Sequence, residues 1–360
     1  MLDRIREQDE AKRLLEAALR DGPAHAYLLH GPPGVGKQTA ALAFAGELLG
    51  DPDRASRRAH PDLYVLEPLG DQIRIDDVRL LHHDLHMRPF EADRRVYVVL
   101  DAHTMNEDAA DALLKDLEEP PAYAVLLLVA DELGPLPETI RSRCQPVPFR
   151  RLSERAVRAE VAARAPGLSD DETTALARVA GGRLDRVERL LDPKAAERRV
   201  GLLTVARSVY GEPDFRAGDA AGFVTAAAAE SGAEAKAAEE GELEQLDLPT
   251  REAEQRLRRA QRGAEREELL LMLEELAAWY RDLAVVAAGA EDAAVHYDHL
   301  DELREDATPE RSPGAERAAE LVRETWRSLE EFNIQPGLAF EALFLHLRRA
   351  FASSTHWVAA

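Results

Sequence analysis

Apolar positions recur with two different periods along this chain, and the change of period divides it. Short continuous apolar runs come first. Ala26-Tyr27-Leu28-Leu29, Leu63-Tyr64-Val65-Leu66, Val96-Tyr97-Val98-Val99-Leu100 and Ala124 to Val129 each read as a strand, and Val147-Pro148-Phe149 closes this region. The β-branched-rich run 96–100 has the composition of a strand buried on both sheet faces. Helical segments lie between them: residues 1–20, with Ile5, Leu14, Leu15 and Leu19 apolar; Lys37 to Leu49; a helix capped by Asp76 that runs to about Met87; and Asn106 to Leu117, stopped by Pro120-Pro121. Strands alternating with helices over about 150 residues predict a parallel α/β sheet.

Beyond Leu152 no further strand is expected. Ser153 to Ala165, Ser169 to Ala180 and Leu184 to Leu191 read as helices, with Gly181-Gly182 separating the last two and Asp192-Pro193 ending the group. The rest is also helical. Glu252 with Arg256, and Glu254 with Arg258, are i,i+4 pairs on a solvated helix. Its continuation, Leu269 to Val286, is apolar and holds Trp279 and Tyr280, and a last amphipathic helix runs from about Pro336 to Phe351. The acidic Ala/Gly/Glu-rich stretch from about Glu212 to Asp247 has few large apolar residues and is expected to be a flexible insertion. The expected domains are 1–150, 151–192 and 193–360, consistent with two or three for 360 residues.

Charge and cysteine content narrow the function. The net charge is −22, from 46 basic and 68 acidic side chains. Affinity for nucleic acid rests on Lys and Arg neutralising phosphates, so contact with DNA is expected to run through more basic partners. The single cysteine, Cys144, excludes an internal disulfide and a cysteine-built zinc site. No apolar run approaches the ~18 residues that span a bilayer. With the charged start Met1-Leu2-Asp3-Arg4, this points to a cytoplasmic protein without membrane contact.

Gly31-Pro32-Pro33-Gly34-Val35-Gly36-Lys37, between a strand and a helix, has the Walker A pattern through its lysine. Glycines let backbone N–H groups turn toward phosphate oxygens, the helix N-terminus favours anions, and Lys37 reaches the terminal phosphates. The next position normally carries a Ser or Thr hydroxyl for Mg²⁺. Here it is Gln38, and Thr39 lies about 100° further round the helix. Phosphate binding with weakened Mg²⁺ coordination is expected; an amide oxygen of Gln38 on the metal is the alternative. Asp101 ends the 96–100 strand, where a second acid would hold Mg²⁺. An acidic follower would polarise the attacking water, but here it is Ala102, with His103 beyond. Loss of a general base costs about 10²–10⁴-fold in rate.

Three stretches resemble bacterial clamp-loader subunits of the AAA+ class: Thr139-Ile140-Arg141-Ser142-Arg143-Cys144-Gln145, Asp101-Ala102-His103-Thr104-Met105-Asn106, and Leu113 to Pro121. The resemblance implies an AAA+ P-loop parallel-sheet domain, a small helical lid and a C-terminal helical collar that packs subunits into a ring. It assigns Asn333 to Leu343 and Trp279-Tyr280-Arg281-Asp282-Leu283 to that collar. It further implies gamma/tau and delta subunits as neighbours, with the sliding clamp and primer–template DNA reached through the complex. Arg143, in the family's Ser-Arg-Cys motif, would be an arginine finger completing a neighbour's ATP site. Such a guanidinium is worth about 10³–10⁵-fold in rate. Gln38, Ala102 and the short chain beyond the collar all favour a non-hydrolysing stator over the gamma/tau motor.

Relatives of this kind often carry a cysteine zinc module before His-Pro-Asp. No cysteine precedes His60-Pro61-Asp62 here, so no zinc is expected. By the same resemblance Asp131 takes the place of a sensor threonine, and Asp185, flanked by Arg183 and Arg186, that of a sensor arginine. The pairs His82/His86 and His296/His299 have ligand-like spacing but lack a third ligand nearby in sequence, and are read as solvated. The rival readings are an ATP-hydrolysing AAA+ motor and a nucleotide-binding regulator outside replication.

Overall fold

A computed structural model describes residues 5–68, 72–131, 133–243, 250–331 and 334–354. The chain forms two compact units: Met1–Glu160 with Gly181–Arg186, and Val161–Ala180 with Val187–Ala360.

In the first unit the elements run α1 (Asp9–Asp21), β1 (Ala26–His30), α2 (Lys37–Leu49), α3 (Pro52–Ser56), β2 (Leu63–Leu66), α4 (Ile75–Leu85), β3 (Arg95–Val99), α5 (Glu107–Glu118), β4 (Ala124–Ala130), α6 (Glu138–Arg141) and β5 (Gln145–Pro148). α7 (Glu154–Arg164) follows. All strands are parallel, in the order β2-β3-β4-β1-β5. This is the expected parallel α/β sheet with a P-loop after its first strand. Side chains alternate across it. Tyr27, Leu29, Val96, Val98, Leu127 and Val129 pack with Phe44 and Leu15 on one face. Leu28, Tyr97, Val99, Leu126 and Leu128 pack with Leu81, Leu85, Leu113 and Leu117 on the other. Because β1 lies beside β4, and β4 beside β3, the residues that follow these strands emerge at one sheet edge. That carboxyl-end edge is where open α/β sheets bind ligands.

Two local expectations are corrected. α1 starts at Asp9, not near the first residue, because Gln8 is left-handed (φ 49). The Gln8 amide is instead spent on Arg150, donating to its carbonyl at 2.6 Å and accepting from its N–H at 3.0 Å. Residues 1–4 lie outside the described part. α4 is not capped by Asp76: Asp77 reaches back to the Arg74 N–H at 2.9 Å, and Asp76 lies inside the first turn.

The second unit is helical: α8 (Asp170–Ala180), α9 (Leu184–Leu191, which begins in the first unit), α10 (Pro193–Gly211), α11 (Ala217–Leu243), α12 (Thr250–Ala287), α13 (Leu300–Asp306), α14 (Ser312–Glu331) and α15 (Pro336–Ser354). Its core gathers Val224, Leu273, Leu276, Trp279, Tyr280, Val322, Phe340, Phe344 and Leu347. The stretch expected to be a flexible insertion is, over Ala217–Leu243, a packed helix. Ala217, Ala220, Ala221, Val224, Ala227 and Ala228 form its buried stripe. Small side chains bring backbones close: a Cβ on Gly232 would sit 3.0 Å from the Gln261 carbonyl. Counting only large apolar residues overlooked this stripe. Residues 244–247 of that stretch, Asn333 and the Glu252 side chain lie outside the described part. Glu254 does pair with Arg258, at 2.9 Å.

Candidate phosphate-binding site and an exposed arginine

The glycine loop leaves β1 and feeds α2, as its sequence predicts. Gly34 (φ +67) and Gly36 (φ +91) adopt left-handed backbone that other residues rarely accept. Val35 is buried and anchors the loop, while Gln38 and Thr39 are exposed on the first turn of α2.

Lys37, the residue that would meet a terminal phosphate, is engaged from within. Its Nζ donates to the carbonyls of Gly31 at 2.7 Å and Pro32 at 2.5 Å, and pairs with Asp131 Oδ1 at 2.7 Å. The lysine side chain is only 4% exposed. Asp131 reaches it because it follows β4, adjacent to β1. A second acid closes on the loop from residues 181–186. Leu184 N–H donates to the Gly34 carbonyl at 2.6 Å, and a Cβ on Gly34 would collide with the Asp185 carboxylate. Burial opposes the charge on Asp185, but a hydrogen bond and charge from Arg183 outweigh it and lower its pKa. The Arg183–Asp185 contact is 2.7 Å.

Asp101 sits just past β3 in left-handed conformation (φ 47). Burial, and then the nearby Asp131 charge, raise its pKa. Its carbonyl accepts from the Thr104 hydroxyl at 2.8 Å across a short 3-10 turn, Ala102–Thr104. Ala102 is wholly buried. It brings no group that could polarise water. His103 Nδ1 accepts from the Asp131 N–H at 3.3 Å. Asp101, His103 and Asp131 can each present an atom within 4.8 Å of the others. Asp131, however, is already committed to Lys37.

The phosphate loop, Asp101 and Asp131 thus lie at the same edge of the sheet, with Lys37 paired to Asp131. The ammonium that should attract phosphate is neutralised, and two carboxylates approach the loop that should cradle it.

Arg143 lies elsewhere, just past α6, with a side chain 34% exposed. Its guanidinium donates to the Thr139 carbonyl at 2.8 Å and to Glu118 Oε1 at 2.6 Å. It is thus held at the surface by the end of α5. The adjoining Cys144 is buried, which pushes its thiol up to about 12 and leaves it unreactive.

Three residues with clear structural work carried no site prediction or the wrong one. Asp62 of the His-Pro-Asp segment is fully buried and accepts N–H groups from Phe90, Glu91 and Ala92 at 2.6, 2.8 and 2.9 Å. His296 is not solvated: it is buried between Asp282 (2.9 Å) and Glu275 (3.1 Å). Asp116 occupies the apolar stripe of α5 and meets His82 at 2.6 Å. An acid in register with Ala109, Leu113 and Leu117 was the signal available in the sequence.

Fold and loop define the first unit as a parallel α/β module with a P-loop between β1 and α2. Residues 7–153 match a family described as DNA polymerase III, delta subunit. The chain is 32% identical over 158 residues to the DNA polymerase III subunit delta' of Bacillus subtilis, covering 41% of this chain and 48% of that one. It is 40% identical over 136 residues to the corresponding subunit of Pseudomonas aeruginosa, covering 34% and 42%. The tau subunit of Bacillus subtilis is 29% identical over 168 residues, covering 43% and 30%. The matched part of this chain is thus similar to DNA polymerase III delta-prime and tau subunits, and the likeness spans under half the length of the delta-prime relatives.

Proposed function

We propose that the protein is the stator of a DNA polymerase III clamp loader. In this reading it carries out no chemistry alone. It contributes Arg143 to the ATP site of an adjacent gamma/tau subunit, in a ring that also holds delta and places the sliding clamp on primer–template DNA. The observation that carries the reading is Lys37 closed onto Asp131 in a loop whose second acid is followed by the buried Ala102. A site so arranged is suited to holding a shape, while an exposed guanidinium remains available to a neighbour. The tether from Glu118 would preset Arg143 for an in-trans contact, and that ion pair is easily exchanged for a phosphoryl group because both partners are exposed. ATP and Mg²⁺ would act in the neighbour's site, with at most weak binding here.

The three-part division into AAA+ module (1–150), lid (151–192) and collar (193–360) belongs to the same proposal. α15 exposes Leu338 (61%) and Leu345 (47%), one heptad apart on one face, as a collar helix packing against sister subunits would. The net charge of −22 agrees with DNA being gripped by other subunits.

The test is reconstitution with gamma/tau and delta. The isolated chain should release negligible phosphate from ATP. Arg143→Ala should leave assembly intact and lower the DNA-stimulated ATPase of the complex by about 10-fold or more, a fraction of what arginine fingers supply. A reconstituted mutant turning over at the parental rate would refute the in-trans role, and vigorous turnover by the chain alone would favour the motor reading.

A further inference from the structure

Spacing along the chain left His82 and His86 without a third ligand, and the fold supplies one. His82 lies in the last turn of α4 and His86 ends that helix, with the two rings edge to face at 4.7 Å. α4 and α5 pack on the same face of the sheet, which brings Asp116 to His82, Nδ1 to Oδ1 at 2.6 Å. The three residues can each offer a ligand atom within 4.8 Å of the others.

Two properties of Asp116 mark this as more than a surface contact. Its side chain is 2% exposed, at a stripe position where an apolar residue would pack without electrostatic cost. Its Oδ2 is buried with no hydrogen-bond partner among the described residues. A carboxylate held this way, with an imidazole on one oxygen only, leaves lone pairs and charge unsatisfied. A divalent cation would meet both needs, and the half-exposed His82 leaves an open side for water.

We propose that His82, His86 and Asp116 form a binding site for a divalent first-row transition ion of the zinc type. Two imidazoles and one carboxylate suit such ions, whereas Mg²⁺ and Ca²⁺ select all-oxygen sets. Two ligand atoms on a tetrahedral ion with bonds of 2.0–2.2 Å stand about 3.3 Å apart. The His82–Asp116 contact therefore opens slightly as the ion takes its place between the two side chains. The bound ion ties the end of α4 to α5. The site shares no residue with the phosphate loop or Arg143, so it stands or falls independently of the clamp-loader reading.

The full chain, stripped with chelator, is titrated with Zn²⁺ by calorimetry and with Co²⁺ by visible absorption. A single Zn²⁺ should bind, and Co²⁺ should give tetrahedral bands. His82→Gln and His86→Gln, both exposed positions, should each weaken binding by about 10- to 100-fold, and Asp116→Asn should do the same where it folds. His103→Gln, which alters the Asp101/His103/Asp131 cluster instead, should leave Zn²⁺ binding in place. Absence of Zn²⁺ binding by the parent, undiminished binding by the His82/His86 double variant, or loss of binding with His103→Gln would overturn the assignment.

Discussion

Replacing Asp131 by Asn tests the closed lysine directly. In the parent, Lys37 Nζ sits 2.7 Å from Asp131 Oδ1 and is 4% exposed. An arriving phosphate must first take the lysine from this partner. A hydrogen bond to a charged group contributes about 1.5–3 kcal/mol. At 1.4 kcal/mol per factor of ten, the carboxylate holds phosphate affinity down by about 10- to 150-fold. Asp131→Asn keeps the shape and removes the charge, so affinity for a fluorescent ATP analogue should rise by about 10-fold or more, measured by equilibrium titration at fixed ionic strength. The same change strands a buried ammonium. Breaking one partner of such a pair costs as much as about 3–5 kcal/mol, reduced here by the carbonyls of Gly31 and Pro32 that still accept from Lys37. The nucleotide-free variant should therefore unfold at lower urea than the parent and recover part of the loss when nucleotide is added. Lys37→Met, lacking the ammonium, should lose the gain in binding. Equal nucleotide affinity in parent and Asp131→Asn, or a variant as stable as the parent without nucleotide, would show that the pair does not govern the loop.

Three further outcomes follow from the packing. Asp62→Ala leaves the N–H groups of Phe90, Glu91 and Ala92 without their buried acceptor and should cost about 3–5 kcal/mol by urea unfolding; a cost below about 1 kcal/mol would mean that water replaces the carboxylate. In His296, burial and, less strongly, Arg199 oppose the proton, but hydrogen bonds to Asp282 and Glu275 overcome them and raise the pKa above the ordinary 6.5. Its contribution to stability is complete below about pH 6.5 and is lost as pH rises through the folded value, so urea melts should weaken toward alkaline pH and His296→Gln should flatten that decline. Ala228→Leu on α11 should destabilise by about 1–3 kcal/mol through overpacking, whereas a flexible insertion would tolerate it without change.

How much of this was legible beforehand depended on whether the information was local. The strands that flank Lys37 and precede Asp101 are short apolar runs with turn residues beside them, and their positions were readable because each signal lies within a few residues. The glycine loop was readable for the same reason: positive φ at Gly34 and Gly36 restricts the residue type at those positions. α11 was misread because its contact surface is built from alanine, whose value lies in how closely another helix can approach and not in its own apolar area. The pairings that decide chemistry are of another kind. Asp131 faces Lys37 because β4 lies beside β1, and Asp116 faces His82 because α4 and α5 share a sheet face; both facts belong to strand order and helix docking. The family resemblance gave Asp131 the place of a sensor threonine but did not pair it with the lysine. A stripe position filled by an acid, as at Asp116, is the one trace such a pairing leaves in a single sequence, because a buried carboxylate is tolerated only where another element brings it a partner.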